Sequence, residues 1–256
     1  MDFIGNRLDR FLSTAEFGGL EMEWGYDSCL YHYTRDAHLD EMRRDLKVAN
    51  MRENIKNGEV GGGFEYLRTM NFSTDGEIWN RAVRELPDLS SGESVARYWT
   101  LSLCREGRSQ TMWETYSTKG DRGQPCVMTF CGKDIYEIVQ RLMEKDLKNG
   151  YSPARQLHFF LPCFYQPQDR DKIARLASFI TGRDYYGVLA KSLSEDDKFS
   201  LAKDLCVMFA LMVKTGDEYS NELETRLVLV ADQEGEENLL SFGLGFDPIK
   251  SVRYAL

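Results

Sequence analysis

Segments of strand period and segments of helix period follow one another along this chain without a repeating rhythm, and that irregularity constrains the fold more than any other feature. A doubly wound parallel sheet needs strands and crossover helices in regular succession. Here Cys29-Leu-Tyr-His-Tyr33 reads as a strand rich in β-favouring residues. From Asp36 to about Leu46 the period becomes helical, with Leu39, Met42 and Leu46 on one side behind the capping-type Asp36. Gly61-Gly-Gly63 marks a flexible loop and Phe64 to Phe72 a short strand. Thr74 and Glu77 have the spacing of a capping box, opening a helix that turns Ile78, Trp79, Ala82, Val83 and Leu86 inward until Pro87 and Ser90-Ser-Gly92 end it. Val95 to Cys104 predicts a strand, Ser109 to Ser117 a short helix, Pro125 to Phe130 a strand, and Asp134 to Lys148 a helix stopped by Asn149-Gly150. Gln156 to Tyr165 is apolar enough for a buried strand. Two or three helices then fill Asp169 to about Val213, the last being the most apolar, with Leu201, Leu205, Met208, Phe209 and Met212 in register. A final strand from Glu222 to Val230 precedes a Gly-containing apolar close. The order predicts an α+β fold.

A chain of 256 residues fits one domain, residues 1–256, in which 1–28 form an irregular lead-in carrying Gly18, Gly19 and Gly25, and about 168–213 form a helical insertion. Fourteen Phe, thirteen Tyr and four Trp supply large surfaces for its core. The net charge of −9 disfavours a protein that coats nucleic acid by counterion release, and Arg43, Arg44, Lys47, Arg105 and Arg108 read as solvated surface charge rather than a basic groove. Six cysteines without C-x-x-C spacing, beside three histidines, argue against zinc and against a disulfide scaffold. The N-terminal residues carry Asp2, Arg7, Asp9 and Arg10, and no apolar run reaches spanning length, so a cytoplasmic protein without a membrane partner is expected.

Asn221-Glu-Leu-Glu-Thr-Arg226 is the segment richest in chemistry. Strand alternation puts Glu222, Glu224 and Arg226 on one face, where two like charges raise each other's pKa and the arginine partly offsets this. The bland alternative is an edge strand showing that face to water. His32 sits in a strand of large side chains just before a turn, as a ligand contact or a satisfied core histidine. Thr100-Leu-Ser-Leu-Cys104 sets three small polar groups on one face. In the helix that follows, Trp113 and Tyr116 either stack on a flat ring or belong to the core. Gly61-Gly-Gly63 lacks the Lys and Ser/Thr of a phosphate loop, and Gly243-Leu-Gly245 lacks the third glycine of a dinucleotide fingerprint.

In order, Leu30-Tyr-His-Tyr33, Asn71-Phe-Ser73 with Glu77, Ser102-Leu-Cys104, Met112-Trp-Glu-Thr-Tyr116 with Gly123 and Phe130, and Lys214 with Glu222-Leu-Glu-Thr-Arg226 resemble a bacterial family described as a domain of unknown function. The Met-Trp-x-x-Tyr and Glu-x-Glu-x-Arg pieces are the specific ones. The same order looks like the ADP-ribosyltransferase superfamily, of toxin or antiphage type. That resemblance implies a split pair of antiparallel sheets clasping NAD, with residues 29–256 as the catalytic-type domain. It implies that Glu224 stabilises the positive charge that develops on the ribose as the nicotinamide bond breaks, and that Glu222 orients the acceptor or serves as its base. It further implies NAD binding by His32 on the adenosine ribose, Tyr33 beside it, Ser102, Tyr116 stacked on nicotinamide, and Arg226 on the carboxylates or a phosphate. The acceptor would be RNA, DNA or a protein, and an antitoxin or defence-system component a partner.

Two other readings stand beside this one. A non-catalytic binding or regulatory module would tie the Glu-x-Glu-x-Arg strand into salt bridges. A metal-dependent nuclease would use Glu222 and Glu224 as ligands, which are few for that purpose.

Overall fold

The computed structural model describes residues 29–51, 61–70, 76–86, 97–118, 123–135, 137–138, 158–166, 168–215, 222–230, 239–243 and 247–254. The lead-in 1–28, Thr74, the helix end at 87–92 and most of the expected helix over 134–148 lie outside them. The fold is α+β, with eight strands in one antiparallel sheet. These are β1 (Cys29–Arg35), β2 (Asp45–Asn50), β3 (Tyr98–Cys104), β4 (Pro125–Cys131), β5 (His158–Pro162), β8 (Glu224–Val230), β9 (Leu239–Gly243) and β10 (Ile249–Tyr254). Two further short strands, β6 (Phe164–Gln166) and β7 (Val213–Thr215), pair in parallel apart from that sheet.

The sheet forks at β3. One edge of β3 runs its whole length along β8, from Tyr98 opposite Val230 to Cys104 opposite Glu224. The other edge is therefore shared. It pairs with β1 through Cys104 opposite Tyr31, and with β2 through Trp99 and Thr100 opposite Asn50 and Ala49. Beyond the fork, β1 continues to β4 and β10, and β2 to β9.

Alternation divides each central strand between two cores. Trp99, Leu101, Leu103 and Leu227 face one core with Leu30, Met128 and Phe130. Tyr98, Val228 and Val230 face a helical layer that includes α2 (Gly61–Thr69), α3 (Glu77–Arg84), α5 (Arg170–Thr181) and α7 (Glu195–Met212). A π-helical turn (Arg183–Gly187) and α6 (Val188–Ala190) connect α5 to α7. Helix α7 is buried around its circumference from Leu201 to Met212 apart from Lys203, as a core helix apolar on all sides must be. Ser194 caps it by accepting the Asp197 N–H (3.2 Å), and Glu195, Asp196 and Asp197 lie in the first turn, where the helix dipole favours negative charge.

Three expectations need correction. Gly61-Gly-Gly63 and the residues after it do not form a loop and strand but helix α2. Gly63 is there because a Cβ would sit 1.9 Å from the Ala210 carbonyl oxygen, so only glycine lets α2 approach the end of α7. The helix after Asp36 comprises a 3-10 turn (Asp36–His38) and α1 (Leu39–Arg44) and ends before Leu46, which lies in β2. The apolar run to Tyr165 is two strands, β5 and β6, separated at Cys163. Among the described residues no helix is long and apolar enough to cross a membrane.

Candidate active site

Four strands and one helix bring the candidate residues to a single cleft. His32 comes from β1, Ser102 and Cys104 from β3, and Glu224 from β8. Glu222 comes from just before β8, Lys214 from β7, and Met112 and Thr115 from α4 (Gln110–Thr118).

His32 lies at the fork. Its Nδ1 is 3.1 Å from the Ser102 carbonyl oxygen, in the stretch of β3 between its pairings with β1 and β2. A carbonyl only accepts, so Nδ1 carries the proton and Nε2 of the neutral ring is an acceptor. Burial lowers the His32 pKa, with the Ser102 carbonyl opposing more weakly, so the ring is neutral at pH 7.

Strand β8 is central, between β3 and β5, and the side chains of Glu224 and Arg226 are 8% and 3% exposed, so the edge-strand alternative is excluded. Alternation does place both on the face toward the helical layer, opposite Cys104 and Ser102. It does not extend to Glu222. The strand begins at Glu224, because Leu223 has φ 45, a left-handed conformation that costs a non-glycine residue about 1–3 kcal/mol. That turn is pinned from β3: the Arg105 N–H donates to the Leu223 carbonyl (2.9 Å) and the Cys104 thiol to the Glu222 carbonyl (2.9 Å).

Two cations answer the two carboxylates. Arg226 directs Nε and Nη2 at Oε1 of Glu224, both at 2.8 Å, and Nη1 at the Leu211 carbonyl in the last turn of α7 (2.5 Å), where the helix dipole favours positive charge. Lys214 bridges the pair, its Nζ meeting Oε2 of Glu222 and Oε2 of Glu224. The residue beside it across the β6–β7 ladder, Tyr165, accepts the backbone N–H of Glu224 on its hydroxyl (2.8 Å).

The electrostatics differ from the like-charge expectation. Burial pushes the Glu224 carboxyl up, but Arg226 and Lys214 outweigh it and hold the group at about 2. Burial likewise opposes the charge of Lys214, and Glu224 reverses that, raising its pKa. Glu224 and Lys214 are thus both ionised through the neutral range. The Cys104 thiol is pushed up to about 11 by burial, which removes it as a thiolate nucleophile near neutral pH.

No family model, no curated protein and no solved structure matches the chain. The cleft brings together His32, Ser102, Glu222 and Glu224. Arg226 is placed behind Glu224 rather than at the cleft surface. Tyr33 borders the cleft but is buried, and its hydroxyl donates to the Glu106 carbonyl (2.8 Å) and accepts the Ser109 N–H (3.1 Å). With its ring edge-on to Trp113 at 5.4 Å, Tyr33 anchors the loop between β3 and α4. Tyr116 belongs to α4, and its side chain lies outside the described residues. Two site residues had no assigned role. Lys214 ends the most apolar helical run, where a lone lysine signals a buried partner, whereas nothing in sequence distinguishes Tyr165 from the other core tyrosines.

Proposed function

We propose that the cleft binds NAD and that the chain is an ADP-ribosyltransferase, with RNA, DNA or a protein as acceptor, acting as a bacterial toxin or antiphage effector. The observation that carries this reading is the meeting of His32, Ser102, Glu222 and Glu224 in one cleft, from β1, β3 and the start of β8. The donor set suits the group. A neutral imidazole with an acceptor at Nε2 suits a ribose hydroxyl, a hydroxyl at Ser102 suits a polar edge, and ionised carboxylates suit sugar hydroxyls. NAD supplies a glycosidic bond whose cleavage develops positive charge on the ribose. A carboxylate kept ionised by Lys214 favours that charge and needs no proton of its own. The eight antiparallel strands form one sheet that forks at β3, and the fork lets His32 reach the Ser102 carbonyl beside the cleft.

A second reading, a binding or regulatory module without turnover, is favoured by the engagement of Glu224 with both Arg226 and Lys214. Nicotinamide release from NAD by the purified protein separates the two, measured with RNA, DNA and protein acceptors beside Glu224→Gln and Glu222→Gln. The transferase reading expects acceptor-dependent release that a carboxylate variant abolishes. No release with any acceptor, together with no heat of NAD binding in calorimetry, leaves the module.

A further inference from the structure

We infer that Glu222 presents the substrate-facing carboxylate of the cleft, and that Glu224 is a positioning residue which holds Lys214 and Arg226 in place behind it. This rests on the transferase reading and reverses the assignment that the resemblance implies.

An ionised carboxylate offers about four lone-pair sites. Glu224 receives Nε and Nη2 of Arg226 on Oε1 and Nζ of Lys214 on Oε2, and Arg226 Nε also reaches the Ser102 hydroxyl (3.3 Å). A ribose hydroxyl reaching Glu224 has to compete with these donors at a side chain that is 8% exposed. Both cations are themselves buried, Lys214 at 5% and Arg226 at 3% side-chain exposure, so drawing either away from Glu224 takes counter-charge from a group held away from water. Stranding a buried charge weakens such a complex by roughly 10²- to 10³-fold.

Glu222 is differently placed. Its side chain is 22% exposed against 8% for Glu224, it borders the same cleft, and Lys214 holds it through Oε2. A substrate hydroxyl reaches it without parting Glu224 from Arg226. Its backbone is also fixed by more than the strand ladder: Leu223 takes the left-handed turn, Cys104 holds the Glu222 carbonyl and Arg105 holds the Leu223 carbonyl. A strained residue kept in place by neighbouring hydrogen bonds is the usual sign of a group that must point one way.

The test is steady-state nicotinamide release with thermal melts, using the full chain and the best acceptor found for the wild type. Glu222→Gln is expected to lower kcat about 10²- to 10³-fold while KM for NAD stays within a few-fold and melting is unchanged. Glu224→Gln is expected to lower melting by about 6–15 °C. Assayed well below that melt, it should lower kcat only about tenfold with KM for NAD unchanged, and Glu224→Asp should recover part of the loss, which a purely structural role would not require. Wild-type kcat in Glu222→Gln overturns the inference whether or not Glu224→Gln folds, as does a Glu224→Gln protein with unchanged melting and no turnover. A wild type that releases no nicotinamide with any acceptor instead removes the transferase reading on which the inference rests.

Discussion

Among the described residues two carboxylates, Asp204 and Glu224, are buried, and their surroundings differ in kind. Asp204, in the middle of α7 and 4% exposed, takes a hydrogen bond from the Tyr98 hydroxyl at 2.6 Å and faces Arg97 at 3.5 Å, whose side chain is 28% exposed. Glu224 is met by two cations that are almost wholly buried, and it shares one of them with a second carboxylate. A neutral hydroxyl and a half-buried arginine are a modest answer to a carboxylate in a helical core. Burying two further charges beside Glu224 carries its own desolvation cost, which packing alone gives no reason to incur. The contrast separates a polar contact that joins α7 to β3 from an electrostatic device at the floor of a cleft.

The largest test of this contrast is Lys214→Met, which leaves Glu222 and Glu224 without their shared cation. A loss of about 3–5 kcal/mol is expected in urea unfolding. A loss below 1 kcal/mol would place the two carboxylates in the same class as an ordinary surface pair. Next in size is the response to acid. The folded pKa of Glu224 is depressed from 4.5 to about 2, so its contribution to stability is complete above 4.5 and disappears as pH falls toward 2. On the order of 2–3 kcal/mol of unfolding free energy should be lost across that interval, and Glu224→Gln should flatten the slope. His32 acts in the same direction in a higher window. Its folded pKa is lowered, so its neutral form stabilises fully above 6.5 and that contribution begins to fail below it.

Gly63→Ala comes third. The added Cβ meets backbone atoms of Ala210 and Val213, which cannot swing aside, so α2 must move away from the end of α7 that offers the Leu211 carbonyl to Arg226. About 2 kcal/mol of destabilisation is expected from calorimetric melts, with nicotinamide release falling as well. Tyr98→Phe is the smallest, at about 1 kcal/mol, and should leave nicotinamide release untouched because Asp204 does not border the cleft. A turnover defect there would join the two carboxylates into one network and dissolve the contrast.

Elements whose period was long or whose chemistry was local could be read in advance. The strands at 29, 98 and 125 and the apolar helix to Met212 follow from β-branched and aromatic runs and from helical spacing. Helix α2 was hidden because three glycines argue locally for a loop, while the packing of Gly63 on Ala210 is a contact between segments some 147 residues apart. At the site, the pairing of Glu224 with Arg226 was legible from the two-residue period, and the resemblance had already singled out His32 and Ser102. The position of Glu222 was not, because it depends on the left-handed Leu223 and on bonds from Cys104 and Arg105.

Local chemistry thus settled which residues carry charge, where the strands at 29, 98 and 125 and the long apolar helix lie, and that the fold mixes helices with a sheet. Those properties depend on neighbours within one or two turns. Tertiary structure alone decided that β8 is central, that Lys214 joins two glutamates into one cluster, and that Glu224 is ionised rather than raised in pKa. The reason is electrostatic: in a buried site the energy of a charge depends on which opposite charges are brought within a few ångströms, and Lys214, ten residues before Glu224 and just past the end of α7, reaches it only through the tertiary fold.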